Sequence, residues 1–349
     1  MRIGIIGTGW GTRVQVPAFR AAGLDVVGIA GRDAAKTRAE ATNLGVQAFA
    51  DWQALVASDV ELVCIVTPPV LHREMTLSAL AAGKHVLCEK PTAMDATEAQ
   101  AMLDAAHAHP TQITLIDHEM RFLPLCTTAR SIVQSGALGE LRHVVSTVIN
   151  GGRADASKPW TWWYDAAQGG GILGAIGSHQ VDTLRFLWGE IDAVSATLHT
   201  FIAERPFEDG TRTVTADDFA ALQLRFNTGG IASISLNVVS SVDEPNRLFM
   251  YGSEGALKVE GSQLWVAGRG GAWEERTPAD TLDIPASIQG DFPRGTVYLG
   301  HALAAYGQGD CTSIAQGATF VDGLRNQQVL DAARASHANN GAWIKTQQD

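Results

Sequence analysis

In the N-terminal third of the chain, short runs of almost wholly apolar residues alternate with longer Ala-rich stretches whose apolar positions recur at helical spacing. The apolar runs fall at 3–6, 24–29, 62–66, 85–88 and 113–116, and the helical stretches at 34–44, 70–82 and 96–107. Strands without polar alternation predict a sheet covered on both faces. Strands alternating with helices predict βαβ units, hence a doubly wound parallel sheet. Beyond about residue 122 the rhythm changes. A strand at 141–149 and a helix at 171–188 precede segments at 193–201, 218–226, 231–239, 247–251 and 256–259, which have strand character. Turn residues such as Asn227-Thr228-Gly229-Gly230 separate them. This pattern predicts an antiparallel sheet with one face on a core. Helical spacing returns at 319–337, and 266–290 receives no assignment.

Composition narrows the function class. A length of 349 residues suggests two domains, each able to bury its own core. The formal net charge of -11 disfavours phosphate backbones and anionic lipid, so no nucleic-acid or membrane partner is expected. The four cysteines, Cys64, Cys88, Cys126 and Cys311, form no CxxC pair and no zinc spacing. No metal and no disulfide framework are predicted. Cys64 and Cys88 lie in strand-like runs, where a thiol packs as a small hydrophobe. The first strand starts beside Met1, which leaves no room for a signal peptide, and no apolar run reaches the roughly 18 residues of a membrane span. The expected location is cytoplasmic.

Candidate chemistry begins where the first strand runs into Gly7-Thr8-Gly9-Trp10-Gly11-Thr12. In a dinucleotide-binding turn the first glycine permits a tight turn and the second lets the backbone approach a pyrophosphate. The third allows close packing of helix on strand, and the helix N-terminus faces the phosphates. Here the third motif position is Thr12, with a glycine one place earlier. The acid that usually binds the ribose 2′-OH stands about 20 residues on. Gly31 occupies that region, followed by Arg32, whose guanidinium suits a 2′-phosphate. NADP is therefore the preferred cofactor, with NAD the alternative. Asp33 reads as the N-cap of the next helix.

Three further segments carry a family resemblance: Val66-Thr67-Pro68-Pro69 with His72 after the fourth strand; Cys88-Glu89-Lys90-Pro91 after the fifth; and the Gly-rich run Gly169-Gly170-Gly171 leading to Ser178-His179-Gln180-Val181-Asp182. Phe320-Val321-Asp322-Gly323-Leu324-Arg325 adds a C-terminal match. Together with the glycine turn, these make the chain resemble the Gfo/Idh/MocA oxidoreductases over nearly its whole length. The resemblance implies an α/β Rossmann domain over 1–122. An α+β domain with a large open antiparallel sheet, for substrate and oligomerisation, would follow over 123–349. Thr67, Pro68, His72, Glu89 and Lys90 join Gly7 to Thr12 and Arg32 as cofactor-binding candidates. Lys90 matches the lysine beside the nicotinamide and the reacting carbon, and His179 matches the active-site histidine. Both are candidate catalytic and substrate-binding residues. Coming from different domains, they would meet at a cleft. The resemblance also implies a sugar, cyclitol or related polyol as substrate. With the open sheet's exposed face, it implies a homodimer or homotetramer packed through that sheet.

One departure stands out. Many relatives carry an aspartate four residues before the histidine, and this chain has Ala175. Two rival readings follow: a non-catalytic dinucleotide-binding regulator, and a hydrolase that cleaves glycosides by an oxidation–elimination cycle. Other candidates stay open in role. Asp182 would orient His179 or cap a polar pocket. Arg121, in Asp117-His118-Glu119-Met120-Arg121 at the end of the last Rossmann strand, would contact substrate or tie the domains together. Trp162, within the group Trp160, Trp162, Trp163 and Tyr164, would stack on a sugar ring or belong to a packed loop.

Overall fold

The computed structural model describes residues 1–346. It divides into two units: Met1–Leu123 with Asp280–Leu324, and Pro124–Ala279 with Arg325–Asp349. The chain first passes from one unit to the other after Leu123. Residues 280–324 return to the first unit. The reason is packing by the helix Asp291–Gly307, which the sequence pattern missed. Its glycines and Pro293 lower helical propensity, yet they are what lets it dock. A Cβ on Gly300 would lie 2.8 Å from the Ala22 Cβ, and one on Gly295 2.9 Å from the Glu119 carbonyl oxygen.

In the first unit the strands run in the order Gln47–Ala48, Asp25–Ala30, Arg2–Ile6, Leu62–Ile65, His85–Cys88, Thr114–Ile116, with Ala318–Thr319 at the edge. All neighbours pair in parallel except that edge strand, which is antiparallel. The order reverses between Arg2–Ile6 and Leu62–Ile65, the switch point at which open α/β sheets bind ligands. Ile3, Ile5, Leu62, Val63, Cys64 and Ile65 are fully buried, as strands covered on both faces require. Helices Ala34–Leu44 and Ala96–Ala108 start at Asp33 and Asp95, whose carboxylates accept from backbone N–H groups of the first turn.

The second unit holds a nine-stranded sheet in the order Glu274–Glu275, Gln263–Gly268, Gly255–Glu260, Arg247–Gly252, Leu141–Ile149, Ile231–Asn237, Phe219–Phe226, Ile191–His199, Ile344–Lys345. It is antiparallel but for one pair, Ile231–Asn237 beside Leu141–Ile149, which runs parallel. Along Ile231–Asn237 the buried residues Ala232, Ile234 and Leu236 alternate with Ser233, Ser235 and Asn237. The buried face packs with Val181, Leu184 and Leu187 of helix Ser178–Trp188 and Val329, Leu330 and Ala333 of helix Phe320–Ala338. The unassigned stretch from 266 resolves into the end of Gln263–Gly268 and the short strand Glu274–Glu275. No helix among the described residues is long and apolar enough to cross a membrane.

Candidate active site

The glycine turn sits at the switch point, and each glycine has a distinct local reason. Gly7 has φ +134°, and a Cβ there would lie 2.1 Å from the Val66 carbonyl oxygen. Only glycine permits this crossing of the turn against the neighbouring strand end. Gly9 faces open space, with no atom within 4 Å of a Cβ position. That leaves a bare backbone surface suited to a pyrophosphate. Gly11 is buried where a Cβ would meet the Ile5 side chain at 2.7 Å. The helix-packing glycine is therefore Gly11, one place before the motif position occupied by the buried Thr12. A wide, π-type first turn over Gly11–Gln15 accommodates the offset before the α-helix Val16–Ala21. Thr8 and Trp10 remain partly exposed beside the turn.

At the end of the second strand, a Cβ on Gly31 would lie 2.7 Å from the Thr8 side chain and 2.8 Å from Thr37 Oγ1. No carboxylate side chain fits there without displacing them. Asp33 is committed to its cap, accepting from Ala35 and Lys36 N–H at 2.9 and 3.0 Å. Arg32 is exposed.

Two sequence candidates have structural duties instead of open faces. His72 is fully buried, with Nδ1 3.0 Å from the Pro91 carbonyl and Nε2 2.9 Å from the Thr67 carbonyl. Burial lowers its pKa, and a neutral imidazole donates to only one of the two. It therefore sits between the loops after the fourth and fifth strands. Arg121 is 5% exposed and pairs with Asp322 at 3.1 Å within the first unit. This pair anchors the start of helix Phe320–Ala338. Thr67 and Pro68, between strand Leu62–Ile65 and His72, are partly exposed.

Lys90 follows strand His85–Cys88 at the carboxyl end of the sheet and is partly exposed, and its bond to Pro91 is cis. Glu89, named as a cofactor contact, is buried and accepts from the Lys90 backbone N–H at 3.2 Å. Gln15 Nε2 donates to Asp117 at 2.8 Å and to Glu89 at 3.3 Å. Burial pushes Asp117 and Glu119 well above the usual carboxylate range and raises Glu89, while the Lys90 charge opposes the rise in all three. The Gln15 amide is thus shared between the Glu89 and Asp117 carboxyls. This acid group holds the Lys90 main chain. Gln15 and Asp117 were not singled out as site residues; only strand-end position pointed to Asp117, and nothing in the sequence pointed to Gln15.

In the second unit, the Gly-rich run folds tightly under Trp163 and Asp217. A Cβ on Gly170 would meet the Trp163 carbonyl oxygen at 2.2 Å, and Asp217 accepts from the Leu173 N–H at 2.7 Å. A π-type turn over Leu173–Gly177 leads into helix Ser178–Trp188, which carries His179 and Asp182, both buried. Asn326 donates to the Ser178 carbonyl at 2.8 Å and fixes the helix start. Ala175 lines a cleft of about 420 Å³ with Arg153, Lys158 and Trp163. Trp162 is 38% exposed and is not on that wall; its neighbour Trp163 is.

Over residues 1–116 the chain matches the oxidoreductase family with an NAD-binding Rossmann fold, and over 126–258 the GFO/IDH/MocA C-terminal domain. It is 32% identical to mouse (Mus musculus) glucose-fructose oxidoreductase domain-containing protein 2, over 98% of this chain and 92% of that protein. Among solved structures, levoglucosan dehydrogenase in complex with NADH and levoglucosan is similar with a TM-score of 0.88 at 25% identity, covering 100% of each chain. An oxidoreductase domain protein from Kribbella flavida has a TM-score of 0.88 at 29% identity, covering 99% of each. An inositol dehydrogenase homologue from Azotobacter vinelandii, complexed with NADH and myo-inositol, shares the fold (TM-score 0.81, 18% identity, 99% and 97% covered). With the glycine turn at the switch point and the Glu89-Lys90-Pro91 strand end in place, the chain belongs to the Gfo/Idh/MocA family of oxidoreductases, and its first unit is an NAD-binding Rossmann domain.

Proposed function

We propose that this oxidoreductase passes a hydride between a nicotinamide cofactor and an alcohol or carbonyl carbon of a sugar, cyclitol or related polyol. The observation that carries the reading is Lys90, held at the carboxyl end of the parallel sheet by the Glu89 carboxyl on its own N–H. The levoglucosan complexed with one structural neighbour supports the substrate class. Bound NAD(P) supplies the hydride acceptor or donor. The backbone around Gly9 would hold its pyrophosphate. Lys90 takes the proton from the substrate hydroxyl on oxidation and returns it on reduction. His179 hydrogen-bonds a substrate hydroxyl and orients it, since an imidazole donates or accepts near neutral pH. With Ala175 in place of an aspartate, Lys90 carries more of the proton transfer. A screen of sugars, cyclitols and polyols for net NAD(P)⁺ reduction tests the reading. Glycoside cleavage without net reduction would point to the hydrolase, and tight dinucleotide binding without turnover to the regulator.

We read NADP as the preferred cofactor because Gly31 leaves no acid at the ribose and Arg32 is exposed beside it. Arg32→Ala should raise the KM for NADP(H) by at least about tenfold, the loss of one charge-assisted contact, with little change for NAD(H). Equal effects on both cofactors would remove the assignment.

The open face of the second unit's sheet presents Thr147, Ser195, Thr197, Gln223, Ser233 and Ser235, small and polar enough for close approach of a second sheet. We propose a homodimer or homotetramer through this face. Sedimentation should give a mass of two or four chains, and Ser233→Arg should shift it towards the monomer. A monomer at all concentrations would exclude the assembly.

A further inference from the structure

The geometry points to an acidic carbohydrate as the substrate, with its oxyanion bound by Arg153 and Lys158 in the second-unit cleft; this rests on the oxidoreductase reading above. The cleft volume of about 420 Å³ lies within the range of small-molecule sites, about 300–1,000 Å³. Among the described residues its wall carries two cations and no carboxylate: Arg153 and Lys158 stand with Asn150, Trp163 and Ala175. On a chain of formal net charge -11, a wall of that sign is a local choice and not the background.

Arg153 is held ready for a ligand. Its guanidinium stacks 3.7 Å from the Trp163 ring centroid, and Nη1 donates to the Tyr164 hydroxyl at 3.0 Å. Neither contact neutralises it, and no described carboxylate lies within 4.0 Å of its guanidinium nitrogens or of Lys158 Nζ. Lys158 Nζ donates only to the Gly152 carbonyl, at 3.1 Å. A third cation, the buried Arg205, fixes the loop from below. It donates to the Arg153 carbonyl at 2.5 Å and the Asp155 carbonyl at 2.6 Å, and it stacks on Tyr164. The nearby acid Asp155 is occupied by the Ser157 N–H and hydroxyl, at 2.9 and 2.6 Å. Backbone bonds from Asn150 to Asn237 and from Arg153 to Val238 anchor the loop to the sheet. A planar guanidinium flat on an indole, with its remaining N–H groups unspent, suits a carboxylate or phosphate.

The test uses matched probes: gluconate and glucuronate for the carboxylate, glucose 6-phosphate for the phosphate, and glucose as the neutral reference. Each is titrated calorimetrically into the full chain saturated with NADP⁺ and, in parallel, assayed for cofactor reduction. At least one anionic probe should bind at least about tenfold tighter than glucose. The advantage should shrink as salt rises, vanish in Arg153→Gln and fall in Lys158→Gln. Arg153→Lys, which keeps the charge, should retain part of it and guards against loss of the fold. Preference for carboxylates or for phosphate identifies the source of the oxyanion. Glucose binding as tightly as every anion, or an anion preference that survives Arg153→Gln, overturns the proposal. Turnover of neutral sugars with no gain in affinity or rate for any anionic probe also overturns it while leaving the oxidoreductase reading intact. Anion binding lost in Arg153→Gln, with no cofactor reduction for any sugar, upholds the cleft and removes the oxidoreductase reading.

Discussion

Lys90→Met should lower kcat by about 10²–10⁴-fold, the usual cost of removing a general acid–base group, while leaving dinucleotide affinity within a few-fold. Methionine keeps most of the side-chain volume but cannot exchange a proton. The buried acids also favour a clean result. The Lys90 charge opposes the upward shifts of Glu89, Asp117 and Glu119. Without it those carboxyls move further towards the neutral form that burial already favours, so no new buried charge is orphaned. The Glu89 carboxyl still accepts from the backbone N–H of residue 90, because that bond involves no side-chain atom of the lysine. Steady-state kinetics with a substrate from the screen, together with a fluorescence titration of NADPH, would check both halves. His179→Asn should lower kcat less, since its role is orientation. A Lys90→Met protein with normal cofactor affinity and near-native kcat would transfer the proton role to His179 or to a residue not named here.

The second large effect separates two glycines that look alike in the sequence. Gly7→Ala places a Cβ 2.1 Å from the Val66 carbonyl oxygen at φ +134°, so it should both unfold the turn and weaken cofactor binding. A residue forced into such a conformation costs about 1–3 kcal/mol before the clash is counted. At about 2–4 °C per kcal/mol for a domain of this size, Tm should drop by several degrees. Gly9→Ala meets nothing within 4 Å, so the cofactor-free Tm should stay near that of the parent. Its new methyl group would stand where the pyrophosphate approaches, and dinucleotide affinity should fall by at least about tenfold. Calorimetry with and without NADPH measures both. If Gly9→Ala kept full affinity, the pyrophosphate would not lie against Gly9.

The sequence alone determined the elements whose stability is local or whose burial is complete. The parallel strands were legible because a strand covered on both faces must be apolar at every position. Helix Ala34–Leu44 was legible because Asp33 caps it and Gly45 ends it. Lys90 and His179 were legible as motif residues. What escaped depends on neighbours distant in the chain. Helix Asp291–Gly307 is rich in glycine for close packing on Phe19, Ala22 and Glu119, so its propensity misled. The parallel pairing of Leu141–Ile149 with Ile231–Asn237 is invisible to alternation, which marks faces and not direction. His72 was named from the family motif after the fourth strand, and its burial between the Thr67 and Pro91 carbonyls is set by the tertiary fold. Gln15 lies on the first helix, yet it meets Asp117, 102 positions away. Arg153 carried no motif, and its character comes from the Trp163 ring beneath it and from there being no described carboxylate within 4.0 Å of its guanidinium nitrogens. Periodicity records the burial that a residue needs, whereas the partner that meets that need is set by the tertiary fold.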